Sequence, residues 1–188
     1  MRCWLVAIIV GVAIPTAAIT TVQAVEIENT KFHDRLQVGD TLLDVRNVAV
    51  FRYRLVFKPF VAALYLERNT PTAQVLADIP KRLEIEYYYA INGREIAAAS
   101  DKILAENLTA DQLSALRPRL ERIRGLYQDV RPGDRYSLTY IPNYGTLLSL
   151  NERALGVVEG ADFATAYFTI WLGKSPMDNA LRDQLLRP

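Results

Sequence analysis

Few residues in this chain are equipped to do chemistry. It has one histidine, His33, between Phe32 and Asp34, and one cysteine, Cys3. A metal site needs several His, Cys or carboxylate ligands together, and an activated nucleophile needs a neighbouring base. Neither set can be drawn from a single histidine and a cysteine at the extreme N-terminus, so no metal and no other cofactor is expected. There is no Gly-rich phosphate loop and no Gly-x-Ser-x-Gly turn. The carboxylates are scattered over helix faces and turns. Asp134 closes the turn Arg131-Pro132-Gly133-Asp134, and Asp162 reads as the cap of an apolar helix. Arg117, Arg119, Glu121, Arg122 and Arg124 read as a solvated helix surface. The chemistry of the residues therefore stops at a domain that binds something.

The elements that must position these residues follow from periodicity. From Val25 to Tyr65 the chain is rich in β-branched and aromatic residues, with a turn at Gly39-Asp40 and a strand pair at Asn47–Arg54 and Leu55–Leu66. Lys81 to Tyr89 alternates, with Leu83, Ile85, Tyr87 and Tyr89 on one face and Glu84, Glu86 and Tyr88 on the other, so one face should be buried. Asn92 then caps a helix in which Ile96, Ser100, Ile103, Leu104 and Leu108 recur at three-to-four spacing. Thr109-Ala110-Asp111-Gln112 is a capping box opening a second helix, which Pro118 should kink or divide. Three strands follow, Tyr136–Ile141, Thr146–Leu150 and Ala154–Val158, as an antiparallel meander. Two closing helices are expected, one over about Asp162–Leu172 and one capped by Ser175 with Pro176 at its first position and Asp178 in its first turn. Strands segregated from helices favour an α+β layer architecture over a parallel α/β one.

Residues 1–24 read as a cleavable export signal. Arg2 precedes the uncharged run Leu5–Ile14, and a small, polar stretch ends at Val22-Gln23-Ala24. The apolar run is broken by Pro15, Thr16, Thr20 and Thr21, short of the roughly 20 residues a membrane span requires, although a retained short anchor is the alternative. Cleavage after Ala24 leaves residues 25–188 as one domain with no stable membrane span. It takes away Arg2 from 22 basic residues and none of the 21 acidic ones, so the remainder is balanced at 21 against 21. That balance gives no reason to expect a nucleic-acid partner. Cys3 is removed with the signal, so no disulfide is expected.

Three segments carry a resemblance: Arg52–Leu66, with its run Phe57-Lys58-Pro59-Phe60-Val61-Ala62-Ala63-Leu64-Tyr65-Leu66; Gly133–Thr146, opening Gly133-Asp134-Arg135-Tyr136; and Ile170-Trp171-Leu172-Gly173. In order and spacing the chain resembles the exported bacterial branch of the chalcone isomerase-like family. The resemblance implies an open-faced β-sandwich, a large antiparallel sheet covered by a layer of helices with a ligand cleft between them. It also implies a catalytic set of arginine, threonine, tyrosine, lysine and asparagine, of which this chain keeps only the first. Arg52 matches the arginine, Phe60 falls at the threonine, and Ile96, Ala99 and Ile103 fall at the tyrosine, lysine and asparagine. The isomerase reaction develops an oxyanion, and each lost donor costs on the order of 3 kcal/mol of transition-state stabilisation. Chalcone isomerase activity is therefore not expected.

An apolar wall facing one arginine suits a fatty acid or a related small amphiphile held by its head group at Arg52. The ligand-binding set implied is Arg52, Phe60, Ile96, Ala99 and Ile103, with Tyr89 beside them, in an exported, periplasmic, non-catalytic protein. Arg52 could instead pair with a carboxylate of the fold, and the apolar positions could fill a closed core. The competing functions are a partner-binding scaffold with a collapsed cleft and an isomerase- or lyase-type enzyme of altered chemistry.

Overall fold

A computed structural model describes residues 24–53 and 57–187. The expected export signal lies outside the described residues except for Ala24. The chain begins with a separate hairpin, β1 (Ala24–Ile27) and β2 (Thr30–His33). Seven further strands form one antiparallel sheet in sequence order: β3 (Arg35–Val38), β4 (Thr41–Tyr53), β5 (Phe57–Leu66), β6 (Lys81–Tyr87), β7 (Arg135–Ile141), β8 (Gly145–Leu150) and β9 (Arg153–Val158). Helices α1 (Gly93–Asn107) and α2 (Ala110–Leu126) fill the long connection from β6 to β7, and α3 (Ala161–Leu172) and α4 (Asn179–Leu185) follow β9. The expected α+β architecture, a large antiparallel sheet backed by helices, is the one observed.

The main core lies between the helices and one face of the sheet. Strand alternation sends Phe60, Ala62, Leu64, Leu83, Ile85, Leu138 and Leu148 to this face, where they meet Leu104, Leu120 and Ile123 of the first two helices. Helix α3 is apolar nearly all round, with Phe163, Tyr167, Phe168 and Trp171 buried, because it runs between the sheet and the other helices.

The other face of the sheet is not open along its whole length. Phe32 of the hairpin packs there with Leu43, Val50, Val61, Ala63 and Tyr65. The expectation that β6 buries one face is corrected, since Arg82 and Glu84 on its second face are 8% and 2% exposed. Charged residues can be buried there because they satisfy one another. Arg82 Nε meets Glu84 at 2.8 Å, Arg135 reaches Glu84 at 3.2 Å and Glu86 at 2.5 Å, and Thr30 donates to Glu86 at 2.8 Å. Two tight turns with positive φ at both central residues, Glu28-Asn29 and Asn151-Glu152, bring a glutamate to each side of this array. Glu152 binds Arg82 at 2.8 Å and Glu28 binds Lys58 at 2.6 Å.

Two helix expectations are also corrected. α2 runs through Pro118 as a single helix, so Pro118 does not divide it. Pro118 and Ser114 are both exposed, so the carbonyl left without its i+4 donor faces water. α4 begins at Asn179 and is capped by Asp178, whose Oδ1 accepts from Leu181 N at 2.6 Å. Ser175 is not the cap because its N–H is held by Asn107 and the next turn is tied to α3 through Met177 N to Ile170 O.

Candidate ligand-binding pocket

The paired strands β4 and β5 set one wall of a pocket. Phe51 and Tyr53 of β4 and Phe57, Pro59 and Phe60 of β5 face the helices. A register shift between Phe51 and Tyr53 lets two aromatic residues of β4 meet three residues of β5 on this side. Phe51 stacks on Phe60 at 4.9 Å, and Phe60 meets Tyr87 of β6 at 5.8 Å. Helix α1 supplies the opposing wall through Ile96, Ala99, Ser100 and Ile103, which share one face at i, i+3, i+4 and i+7. The start of α1 is fixed by its Asn92 cap and by Gly93 N donating to Asp129 at 2.9 Å. Gly93 sits so close to the following segment that a Cβ would lie 2.8 Å from the Gln128 carbonyl carbon. Ile170 and Trp171 of α3 and Met177 beyond it close the base.

The pocket, open to solvent on one side, has a volume of about 350 Å³, within the usual range for small-molecule sites. A void of about 20 Å³ lies deeper, sharing Ile85, Tyr87, Ile96 and Trp171 with the pocket. Behind it a tyrosine cluster is hydrogen-bonded: Tyr127 and Tyr167 hydroxyls meet at 2.8 Å, and Tyr136 donates to Gln128 O at 2.9 Å. Burial pushes the Tyr127 hydroxyl up to about 12 and raises those of Tyr87, Tyr136 and Tyr167, so all four are neutral at physiological pH. None can serve as a base there. Among the described residues, Glu95 is the one charged side chain on the pocket wall. Nor do three His, Cys, Asp or Glu side chains converge to hold a metal among the described residues.

Phe60, Ile96, Ala99 and Ile103, four of the six positions expected to meet a ligand, stand on the walls of this one pocket. Arg52 does not. Its neighbours Phe51 and Tyr53 face inward, so alternation turns Arg52 to the other side of the sheet, where its guanidinium lies 3.6 Å from Glu28. The expected head-group anchor is thus corrected to an ion-pair partner of the hairpin tip. Tyr89 lies past the end of β6, 47% exposed, with its ring 4.4 Å from that of the wall residue Phe57. Past Tyr87 the ladder makes one more in-register bond, Tyr88 N to Pro59 O, and Pro59 has no N–H to return the second, so regular pairing ends before Tyr89. Tyr53, Phe57, Tyr87, Glu95 and Trp171 are wall residues that the sequence argument did not single out for binding. Strand parity could have found Tyr87, in phase with the apolar Leu83 and Ile85, whereas Phe57 joins Phe60 on this side only through the register shift.

The profile of the chalcone isomerase-like family matches residues 24–187. A crystal structure of a fatty-acid binding protein from Arabidopsis thaliana superimposes with a TM-score of 0.65, at 14% identity, over 87% of this chain and 96% of that one. No curated protein sequence matches this one. With the profile spanning nearly the whole described sequence, and the sheet, helix layer and cleft in place, the chain belongs to the chalcone isomerase-like family.

Proposed function

We propose that this protein binds a small amphipathic molecule, with a greasy body like that of a fatty acid, in the pocket between sheet and helices, and that it catalyses no reaction on it. The observation that carries this is the 350 Å³ cavity, whose walls are almost wholly apolar where the isomerase set would place polar groups. An apolar cleft already formed between sheet and helices favours a greasy ligand and disfavours the collapsed-cleft scaffold. The fold neighbour named as a fatty-acid binding protein supports the ligand class. The test is titration with a neutral, environment-sensitive naphthylamine dye. Wild type should bind it, and Ala99→Trp, which places a large ring on the open side of the α1 wall, should weaken binding at least about tenfold while leaving the fold intact. Absence of dye binding to wild type, or equal binding to the variant, contradicts the proposal.

The same reading places the protein in the periplasm, as a member of an exported bacterial branch. The motivating observation is the charged start, apolar run and small-residue end of residues 1–24. No helix of the described residues is long and apolar enough to cross a membrane. Intact mass of the protein from a periplasmic extract should begin at Val25; a full-length chain in the membrane pellet contradicts export with cleavage.

A further inference from the structure

The polar groups on the pocket wall bear on which head group the ligand carries, an inference that rests on the binding function proposed above. No lysine or arginine among the described residues lines the pocket. Arg52 and Lys58, the two basic residues of its β4–β5 wall segment that are described, turn away and share Glu28. Glu95, in the first turn of α1, puts a negative charge at the rim. An ionised carboxylate entering here meets an apolar wall and no cation among the described residues, where a charge gives up hydration without gaining a partner.

A neutral polar group meets a different wall. Tyr87 is 6% exposed and lines both the pocket and the void behind it. A ligand hydroxyl or carbonyl reaching this phenol would exchange a hydrogen bond to water for one to the ring hydroxyl. Burial keeps this phenol protonated, hence a donor. At about 30 Å³ for each methylene-sized unit, comparable to one water's share of liquid volume, the cavity holds roughly a dozen heavy atoms.

We propose that the pocket selects an uncharged amphiphile of medium chain length, its hydroxyl or carbonyl bonded to Tyr87, over the carboxylate of the same length. The test is displacement of the naphthylamine dye from the mature chain at pH 7.5 by decan-1-ol and by decanoate. With a carboxyl pKa near 4.3, only about one decanoate in a thousand is neutral at this pH, so the preference for the alcohol can approach about a thousandfold and should be at least about tenfold. Tyr87→Phe keeps the ring and should weaken decan-1-ol about two- to tenfold. Glu95→Gln should narrow the alcohol-to-acid ratio severalfold. Decanoate binding as tightly as decan-1-ol overturns the inference and leaves the binding function standing. Unaltered affinity of Tyr87→Phe for decan-1-ol overturns the role of Tyr87. Failure of the dye itself to bind overturns the binding function and this inference with it.

Discussion

Replacing Arg52 with alanine separates two accounts of the pocket by more than an order of magnitude. If the guanidinium held an anionic head group, its removal would forfeit a charge-assisted hydrogen bond, about 1.5–3 kcal/mol, or roughly 10- to 150-fold in affinity. The structure places that guanidinium on the far side of β4, 3.6 Å from Glu28, with the side chain 46% exposed. Glu28 keeps a closer partner in Lys58 at 2.6 Å, which also holds its carboxyl below the ordinary range, so the hairpin tip stays tethered without Arg52. Exposed pairs of this kind contribute little to folding. Arg52→Ala should therefore bind the naphthylamine dye and decan-1-ol within about twofold of wild type, and melt within about 2 °C of it. Dye titration and a thermal melt on the same sample read both quantities. A tenfold or greater loss of affinity with an unchanged melting temperature would mean that Arg52 reaches the ligand, and would refute the orientation on which the neutral head-group inference depends.

Three stability predictions follow from other parts of the fold. Lys81 is wholly buried, donates to the Ala77 and Ile79 carbonyls, and burial lowers its pKa from 10.5 to about 8. Between those values the unfolded chain holds more protons, so the contribution is absent below pH 8 and stability rises with pH above it, by roughly 1.5–2 kcal/mol up to pH 9.5. Urea denaturation should show this rise in wild type and its loss in Lys81→Met; a flat wild-type profile contradicts it. In Gly93→Ala the new Cβ meets backbone atoms of Gln128 and Tyr127 at 2.8 and 2.9 Å, which cannot yield as a side chain would. The variant should lose about 1–3 kcal/mol by denaturant titration, and dye affinity should fall as α1 is displaced. Glu84→Gln takes a charge from between Arg82 and Arg135, at 2.8 and 3.2 Å, and should cost about 3 kcal/mol on the same assay; a cost under 1 kcal/mol would show that Glu152 and Glu86 alone satisfy the two guanidinia.

What the sequence revealed was what local rules govern. The Asn92 cap, the Thr109 capping box and the three-to-four spacing located α1 and α2, and the spacing from Ile96 to Ile103 put three wall residues on one helix face. The Arg52 expectation failed because a positional match was followed in preference to strand parity. Phe51 and Tyr53, two apart, share the inward side by alternation, and the register shift brings Phe57 of β5 to the same side as Phe60. Division at Pro118 did not occur because its i−4 carbonyl lies on the exposed side, where water can replace the lost backbone donor. The charge array on the second face was out of reach for a different reason. Its partners are joined across the chain, as where Arg135 donates to Lys31 O, 104 residues away, and β6 reads as a one-sided strand until β7 and the hairpin are laid against it.

The central claim is that the pocket holds a molecule, and the direct test is mass spectrometry of organic extracts from the mature protein purified out of cells, wild type beside Ala99→Trp. The account predicts a neutral amphiphile near one equivalent in wild type and strongly depleted in the variant, whose added ring obstructs the open side of the 350 Å³ cavity. No bound molecule in wild type, or the same amount in both, would contradict it.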